Sequence, residues 1–152
     1  MLESLNEEIK YEFTHFNADT AYEIGKYCVE YSKIHNLSIC IDIYAYSKQL
    51  FHYSSDACTR NNDDFLMKKR NAVLYFGHST KFLSIKNKND ASVLQTKYGL
   101  ELGEYCITMG GFPIKIKDSG IVGAICISGL NPEEDHELIT IILDWYFNNF
   151  SA

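Results

Sequence analysis

The chain contains few prolines and no long apolar segment. Only 2 of its 152 residues are proline. No run approaches the about 20 consecutive apolar residues of a membrane-spanning helix. The first residues, Met1–Ser4, also lack the basic region and apolar core of a secretory signal. We therefore expect a cytoplasmic protein with no membrane partner.

Positive charge is scarce as well. The chain carries 14 Lys and Arg against 20 Asp and Glu, for a formal net charge of −6. Nucleic-acid binding requires clustered Lys and Arg, so we expect no nucleic-acid partner. The one basic cluster, Lys68–Arg70, could contact phosphate or propionate groups, but a solvated helix face explains it more simply.

The cysteines and histidines show no metal-binding or disulfide pattern. The 5 cysteines are odd in number and contain no C-x-x-C motif. Most lie in apolar patterns, so we expect them to be reduced and buried. A nucleophilic role for Cys58 would require a histidine brought close by folding. No zinc-type spacing is found among the histidines, which are His15, His35, His52, His78 and His136.

Periodic patterns predict one α+β domain over residues 1–152. Two hairpin-like groups of β-branched and aromatic residues are separated by a helical pattern. This order favours a mainly antiparallel sheet over a parallel β-α-β core. We predict strands at 38–46, 49–54, 105–109, 112–117 and 121–127, and helices near 17–35, 62–77 and 132–149.

The helix starts have recognisable signals. Asn17 is predicted to cap the first long helix, and either Asn61 or Asn62 is predicted to open the next. Asn131, followed by Pro132, predicts the start of the last helix. Between the second and third of these helices, residues 81–104 give a weak pattern that we interpret as two short helical turns in an irregular segment.

A further short helix is predicted at the amino terminus. Apolar residues recur there at helical spacing, and we expect this stripe to pack on the body of the domain. The residues of the stripe are Leu2, Leu5, Ile9 and Phe13.

A glycine-rich turn marks the last third of the chain. Gly110 and Gly111 precede Phe112 and Pro113, and a glycine pair indicates a backbone path with positive φ. Such glycines could present N–H groups to an anion, but they match neither G-x-G-x-x-G nor the P-loop. Turn geometry and close helix–sheet packing explain them more simply.

Several short motifs recur in an order typical of one family. They are a Phe-Asn start of an alanine-containing helix, an Asn/Phe/Lys helix start, a His-Ser-Thr helix end, a Gly-Gly-Phe-Pro-Ile turn, and a Ser-Gly-Leu segment followed by Asp-His. Together they resemble the haem-degrading domain family, the GlcG/HbpS-like group, in its branch of small bacterial and fungal proteins. The matching residues are Phe16–Ala21; Asn62, Phe65 and Lys69; His78–Thr80; Gly110–Ile114; Ser128–Leu130; and Asp135–His136.

The resemblance implies a fold, an assembly and a ligand. The implied fold is profilin-like, with a five-stranded, mainly antiparallel sheet and packed helices. The implied assembly is a homo-oligomer, and the implied ligand is haem or a related tetrapyrrole. Phe65 stands where the family has tryptophan, Asn61 where it has an acid, and Met109 where it has the first of three glycines, so polar detail around a pocket differs. Thr80 stands where the family has a second serine.

Two histidines are the candidates for chemistry. His78 could be an axial ligand of haem iron, although bonding to the last helix carbonyls is a simpler role. Asp135 and His136 point about 100° apart on a helix, so we do not expect them to pair directly. One of them is expected to hold the glycine turn, and the other to face a partner subunit.

We predict that the family-like residues form one polar cluster, within a subunit or across an interface. Three functions are then compatible: a small-molecule-binding module, an enzyme acting on the same ligand, and a non-catalytic homo-oligomeric scaffold. No nucleophile–base pair, metal signature or cofactor motif supports the enzyme. The predicted ligand-binding residues are Asn62, Lys69, His78, Gly110, Gly111, Phe112, Pro113, Ser128, Gly129, Asp135 and His136.

Overall fold

The computed structural model describes residues 1–150 as six helices and four strands. No helix among these residues is long and apolar enough to cross a membrane. The elements are α1 (Leu2–Lys10), α2 (Ala18–Ile34), β1 (Cys40–Ala45), β2 (Lys48–Ser54), α3 (Arg60–Phe76), α4 (Thr80–Lys86), α5 (Ser92–Thr96), β3 (Gly111–Ile116), β4 (Gly120–Ser128) and α6 (Pro132–Asn149).

The four strands form one antiparallel sheet in the order β2-β1-β4-β3. In its centre Asp42 of β1 lies opposite Cys126 of β4, and Phe112 of β3 lies opposite Ile125. The α+β class with an antiparallel sheet is therefore confirmed. The prediction of five strands is wrong, and the profilin-like description stays a prediction.

The missing strand is the segment at residues 105–109, which runs outside the sheet. Its Ile107 is buried in a small cluster with residues of α3, α4 and α5. The edge of β3 is also occupied, because Thr80 accepts a hydrogen bond from the N–H of Gly111, and Phe13 bonds Lys115 and Lys117. The apolar residues of this segment therefore pack against helices, and the segment does not pair with a strand of the sheet.

Helices cover both faces of the sheet. On one face α2 and α6 pack on the isoleucines of the central strands, for example Ile24 and Ile142 on Ile43 and Ile125. On the other face α3 packs on the alternate strand residues, with Leu66 and Val73 contacting Cys40, Ala124 and Cys126. Period-2 alternation along β1 and β4 thus buries both faces of the strands.

The long helices begin close to their predicted positions. The side chain of Asn17 accepts a hydrogen bond from the N–H of Thr20, and Asn131 caps α6 in the same way, so both predicted N-caps are confirmed. The predicted start of α3 is wrong by a few residues. Thr59 is its N-cap, and Asn62 supplies the oxygen that accepts from the N–H of Thr59.

The amino-terminal helix exists, and its predicted apolar stripe packs on the domain in part. Leu5 packs against a buried apolar cluster, and Phe13 is buried in the core. Leu2 and Ile9 of α1 are instead 72% and 64% exposed.

Polar contacts also hold the helix. Glu7 contacts His136, and Glu8 contacts His78. Half of the stripe and two acidic residues therefore attach α1 to the domain.

Candidate functional site

A buried ion pair joins α3 to α6. The ammonium of Lys69 lies 3.1 Å from Oδ2 of Asp135 and donates to the carbonyl of Ile127 at 2.8 Å. Oδ1 of Asp135 accepts from the N–H of Leu130 at 3.0 Å. Both charged side chains are almost fully buried, so the pairing and these hydrogen bonds offset a large desolvation cost.

Burial also changes the protonation of the acid in this pair. Desolvation raises the pKa of Asp135 to about 6, and the nearby Lys69 ammonium and the N–H of Leu130 oppose the rise. The carboxylate therefore stays ionised at neutral pH mainly because Lys69 is beside it.

The glycine turn packs directly on this ion pair. Gly110 has φ of +120°, and a Cβ there would lie 2.5 Å from the carbonyl oxygen of Ile127 and 2.6 Å from Nζ of Lys69. Gly111 does not have positive φ, but a Cβ there would lie 2.9 Å from Val73. The expected positive φ is thus found at Gly110, whereas Gly111 is required by close approach of α3.

A cavity of about 210 Å³ opens beside the ion pair, and we call it the Lys69 cavity. It lies where the start of α3 meets the β4–α6 connection, and it brings together five of the residues predicted for the site. Its walls include Asn62, Phe65, Lys69, Ser128, Gly129 and Asp135.

His78 lies outside the Lys69 cavity, at a groove of about 220 Å³ between α1 and β3 that we call the His78 groove. The imidazole is about one-third exposed, its Nδ1 is 3.0 Å from Oε1 of Glu8, and its ring packs on Phe82. It bonds this acid of α1 rather than the end of α3, where the N–H of Gly77 bonds Val73. The other walls are mostly apolar and include Leu5, Ile9, Pro113 and Ile121.

His136 is buried within its own chain, so the expectation that it faces a partner subunit is wrong. Its Nε2 lies 3.0 Å from Oε1 of Glu7, and Lys81 lies 3.7 Å from the same oxygen. Burial lowers the pKa of His136, although Glu7 acts in the opposite direction. The buried Nδ1 has no hydrogen-bond partner among residues 1–150.

The glycine turn touches both regions. Gly110 and Gly111 contact Lys69, Phe112 lies with its ring centroid 6.0 Å from that of His136, and Pro113 lines the His78 groove. Seven of the predicted residues therefore line one of two cavities, five at the Lys69 cavity and two at the His78 groove. The other four, Gly110, Gly111, Phe112 and His136, line neither of them. Their assignment as ligand-binding residues stays a prediction.

Some contacts around these cavities were not anticipated from the sequence. The apolar stripe of α1 predicts its packed face, and this pattern does not indicate the contacts of Glu7 and Glu8. Thr80 was noted only as a departure from the family motif, yet its hydroxyl accepts from the N–H of Gly111 at 2.9 Å. Adjacent acids opposite an apolar stripe are the signal that could have identified the first two.

The remaining reactive side chains do not form a metal centre. No group of three or more His, Cys, Asp and Glu able to hold a metal ion is found in the part of the chain that the structure describes. All five cysteines are unpaired as thiols, and four are buried. Burial raises the pKa of Cys40 to about 12, which disfavours the reactive thiolate.

Comparison with known proteins assigns the family. The model of the family described as "Haem degrading protein HbpS-like" matches residues 16–143. A UPF0303 protein of Paraburkholderia phymatum is 35% identical over 127 residues, which cover 84% of this chain and 77% of the relative.

Solved structures show the same fold. The crystal structure of the Ybr137w protein superposes with a TM-score of 0.87 at 24% identity, over 97% of this chain and 87% of that one. The crystal structure of a PduOC:haem complex superposes with a TM-score of 0.68 at 15% identity, over 83% and 91% of the two chains. The residues matched by the family model contain the whole Lys69 cavity, and they contain the His78 groove apart from α1 and Glu12. This chain belongs to the HbpS-like haem-degrading protein family.

Proposed function

We propose that this protein binds haem or a related tetrapyrrole at the His78 groove. The observation that carries the proposal is the setting of His78, a partly exposed imidazole on a mostly apolar wall with Nδ1 held by Glu8. A carboxylate on one imidazole nitrogen fixes the ring and raises the basicity of the other nitrogen, as in many metal-ligating histidines. Nε2 is then the nitrogen that would ligate the iron.

The residues of the groove fit such a ligand in chemistry. Apolar side chains such as Ile9 and Ile121 suit the face of a macrocycle. The ammonium of Lys115, which also lines the groove, lies 3.1 Å from Oε2 of Glu12, and a propionate would compete with that carboxylate for it. Bound haem would supply an iron centre at Nε2, and the chain's own part is to hold and orient the imidazole. Membership of the HbpS-like family and the fold shared with a PduOC:haem complex support the same class of ligand.

The His78 groove of one chain is small for a tetrapyrrole. Its volume of about 220 Å³ is below the roughly 300–1,000 Å³ of typical ligand pockets. A tetrapyrrole would therefore be only partly covered by one chain. In this proposal a second copy of the chain covers the remaining surface, which is consistent with a homo-oligomer.

Titration of the purified protein with haemin, followed by absorption spectroscopy, tests the proposal. We expect a sharp Soret shift that is lost in His78→Ala and kept in His136→Ala, because His136 is buried against Glu7. His35→Ala is a surface control that also removes an imidazole. No shift with the unmodified protein, or equal shifts in all three variants, would refute binding at this groove.

A specific observation favours a second function, a non-catalytic homo-oligomeric scaffold. Ile9 of α1 and Ile121 of β4 both line the His78 groove and are 64% and 36% exposed. Clustered exposed apolar residues mark interaction sites. An oligomer that shows no Soret shift with haemin would favour the scaffold over the ligand-binding function.

A further inference from the structure

A third, polar groove lies between edge strand β2 and helix α3. Its volume is about 330 Å³, and its walls contain two carboxylates and one guanidinium. It shares no wall residue with the His78 groove or the Lys69 cavity. The polar walls of this β2–α3 groove are Asp42, Gln49, His52, Asp63 and Arg70.

The floor of the groove is a buried carboxylate in the sheet. Asp42 of β1 is 1% exposed and occupies an inward position on the face where Cys40 and Cys126 pack against α3. Gln49 donates to its Oδ1 at 2.7 Å, and Nη1 of Arg70 donates to its Oδ2 at 3.3 Å. An apolar residue would fill such a position at lower cost, so the acid has a role other than packing.

Arg70 is the cationic side of the groove, and it is held in place. Its guanidinium donates to Asp42 and lies over the ring of Tyr44, 4.4 Å from the centroid. The bond to Asp42 engages only Nη1, and an arginine carries five N–H donors in a planar fork. That fork matches the geometry of a carboxylate.

The groove also has an anionic part, near the start of α3. Oδ1 of Asp63 lies 3.2 Å from Nε2 of His52, and both side chains are about one-third exposed. The carboxylate of Asp63 can accept a hydrogen bond from an ammonium group of a ligand. Leu66 and Met67 of α3 add apolar surface between the two polar walls.

We propose that the β2–α3 groove binds a small zwitterion, an α-amino acid with an apolar side chain. Arg70 receives its carboxylate, Asp63 receives its ammonium group, and Leu66 and Met67 contact its side chain. A purely anionic ligand would lie beside the carboxylates of Asp42 and Asp63, and a purely cationic ligand would lie beside the guanidinium of Arg70. A molecule with both charges can pair with Arg70 and with Asp63 at the same time.

Isothermal titration calorimetry of the full chain with L-leucine tests this inference. The two single-charge analogues, 3-methylbutylamine and 4-methylpentanoate, are titrated beside it. We expect leucine to bind and each analogue to bind at least about 10-fold more weakly, because each analogue lacks one of the two charges that leucine presents to Arg70 and Asp63. Equal binding of leucine and either analogue, or no heat from leucine at millimolar concentration, would overturn the proposal.

Variants locate the site. Asp63→Asn should weaken leucine binding about 10-fold or more, since it removes the anionic partner of the ammonium group. Asp64→Asn is the matched control, because the neighbouring Asp64 bonds the exposed Arg60 and does not line the groove. Equal weakening by the two substitutions, or none by Asp63→Asn, would place any leucine binding elsewhere. Haemin titration of Asp63→Asn should be unchanged, which separates this groove from the His78 groove.

Discussion

Replacement of Lys69 by methionine is the perturbation whose result follows most directly from the geometry. Methionine fills a similar volume but removes the ammonium that lies 3.1 Å from Asp135 and 2.8 Å from the carbonyl of Ile127. The Asp135 carboxylate is then left buried without its cation. Removing one partner of such a pair costs about 3–5 kcal/mol of unfolding free energy. That is a large part of the about 5–15 kcal/mol available to a domain.

The loss should depend on pH in a defined direction. Burial already raises the pKa of Asp135 to about 6, and loss of Lys69 raises it further. An acid whose pKa is raised on folding gives stability at low pH that is lost as the pH rises through the folded pKa. The variant should therefore be least stable, relative to the unmodified chain, at pH 7.5. At pH 5 the difference in unfolding free energy between the variant and the unmodified chain should be smaller than at pH 7.5 by at least about 1 kcal/mol.

Urea unfolding of both proteins at pH 7.5 and pH 5 measures this effect. Lys68→Met is the matched control, because Lys68 is the adjacent residue of α3 and its ammonium lies over the ring of Phe65. We expect that control to lose less than about 1 kcal/mol at either pH. Equal losses in the two variants, or a Lys69→Met deficit that does not change with pH, would refute the reasoning.

Three further predictions concern the surroundings of the same turn. Gly110→Ala should lower the free energy of unfolding in urea by at least about 2 kcal/mol more than Gly99→Ala does. Both glycines have positive φ, but of the two only Gly99 has open space for a Cβ. Thr80→Val should lower the free energy of unfolding by about 1–3 kcal/mol, because the N–H of Gly111 loses its acceptor. Thr80→Ser keeps a hydroxyl and should keep most of the stability. Equal losses in the two variants would contradict this role of Thr80. Because burial lowers the pKa of His136, its contribution to stability is full above about pH 6.5 and lost as the pH falls. The stability of His136→Gln should therefore fall less between pH 6.5 and pH 5 than that of the unmodified chain, and parallel pH curves would contradict the assignment.

Local signals were sufficient to predict most of the fold. The caps at Asn17 and Asn131 and the periodic apolar stripes located α2 and α6 almost to the residue. The hairpins were recognisable because their turns and β-branched runs are local features. The segment at residues 105–109 was mistaken for a strand because its composition is strand-like, and only the occupied edge of β3 excludes it from the sheet.

The candidate site was less accessible to sequence reasoning, because its contacts join distant parts of the chain. The Gly110 turn and Asp135 could be expected to meet, and they do so both directly and through Lys69. The apolar stripe of α1 predicted that this helix packs on the domain, and Leu5 does so. The contacts of Glu7 and Glu8 could not be derived from the stripe, because these acids meet two histidines from distant elements.

The central claim is that His78 ligates a haem iron in the His78 groove, and the axial ligand can be observed directly. Electron paramagnetic resonance of the ferric haem complex distinguishes imidazole ligation from ligation by water or thiolate. We expect the spectrum of an imidazole-ligated haem iron for the unmodified protein and for His136→Ala. We expect that signal to be lost in His78→Ala. An imidazole-ligated spectrum that persists in His78→Ala would contradict it.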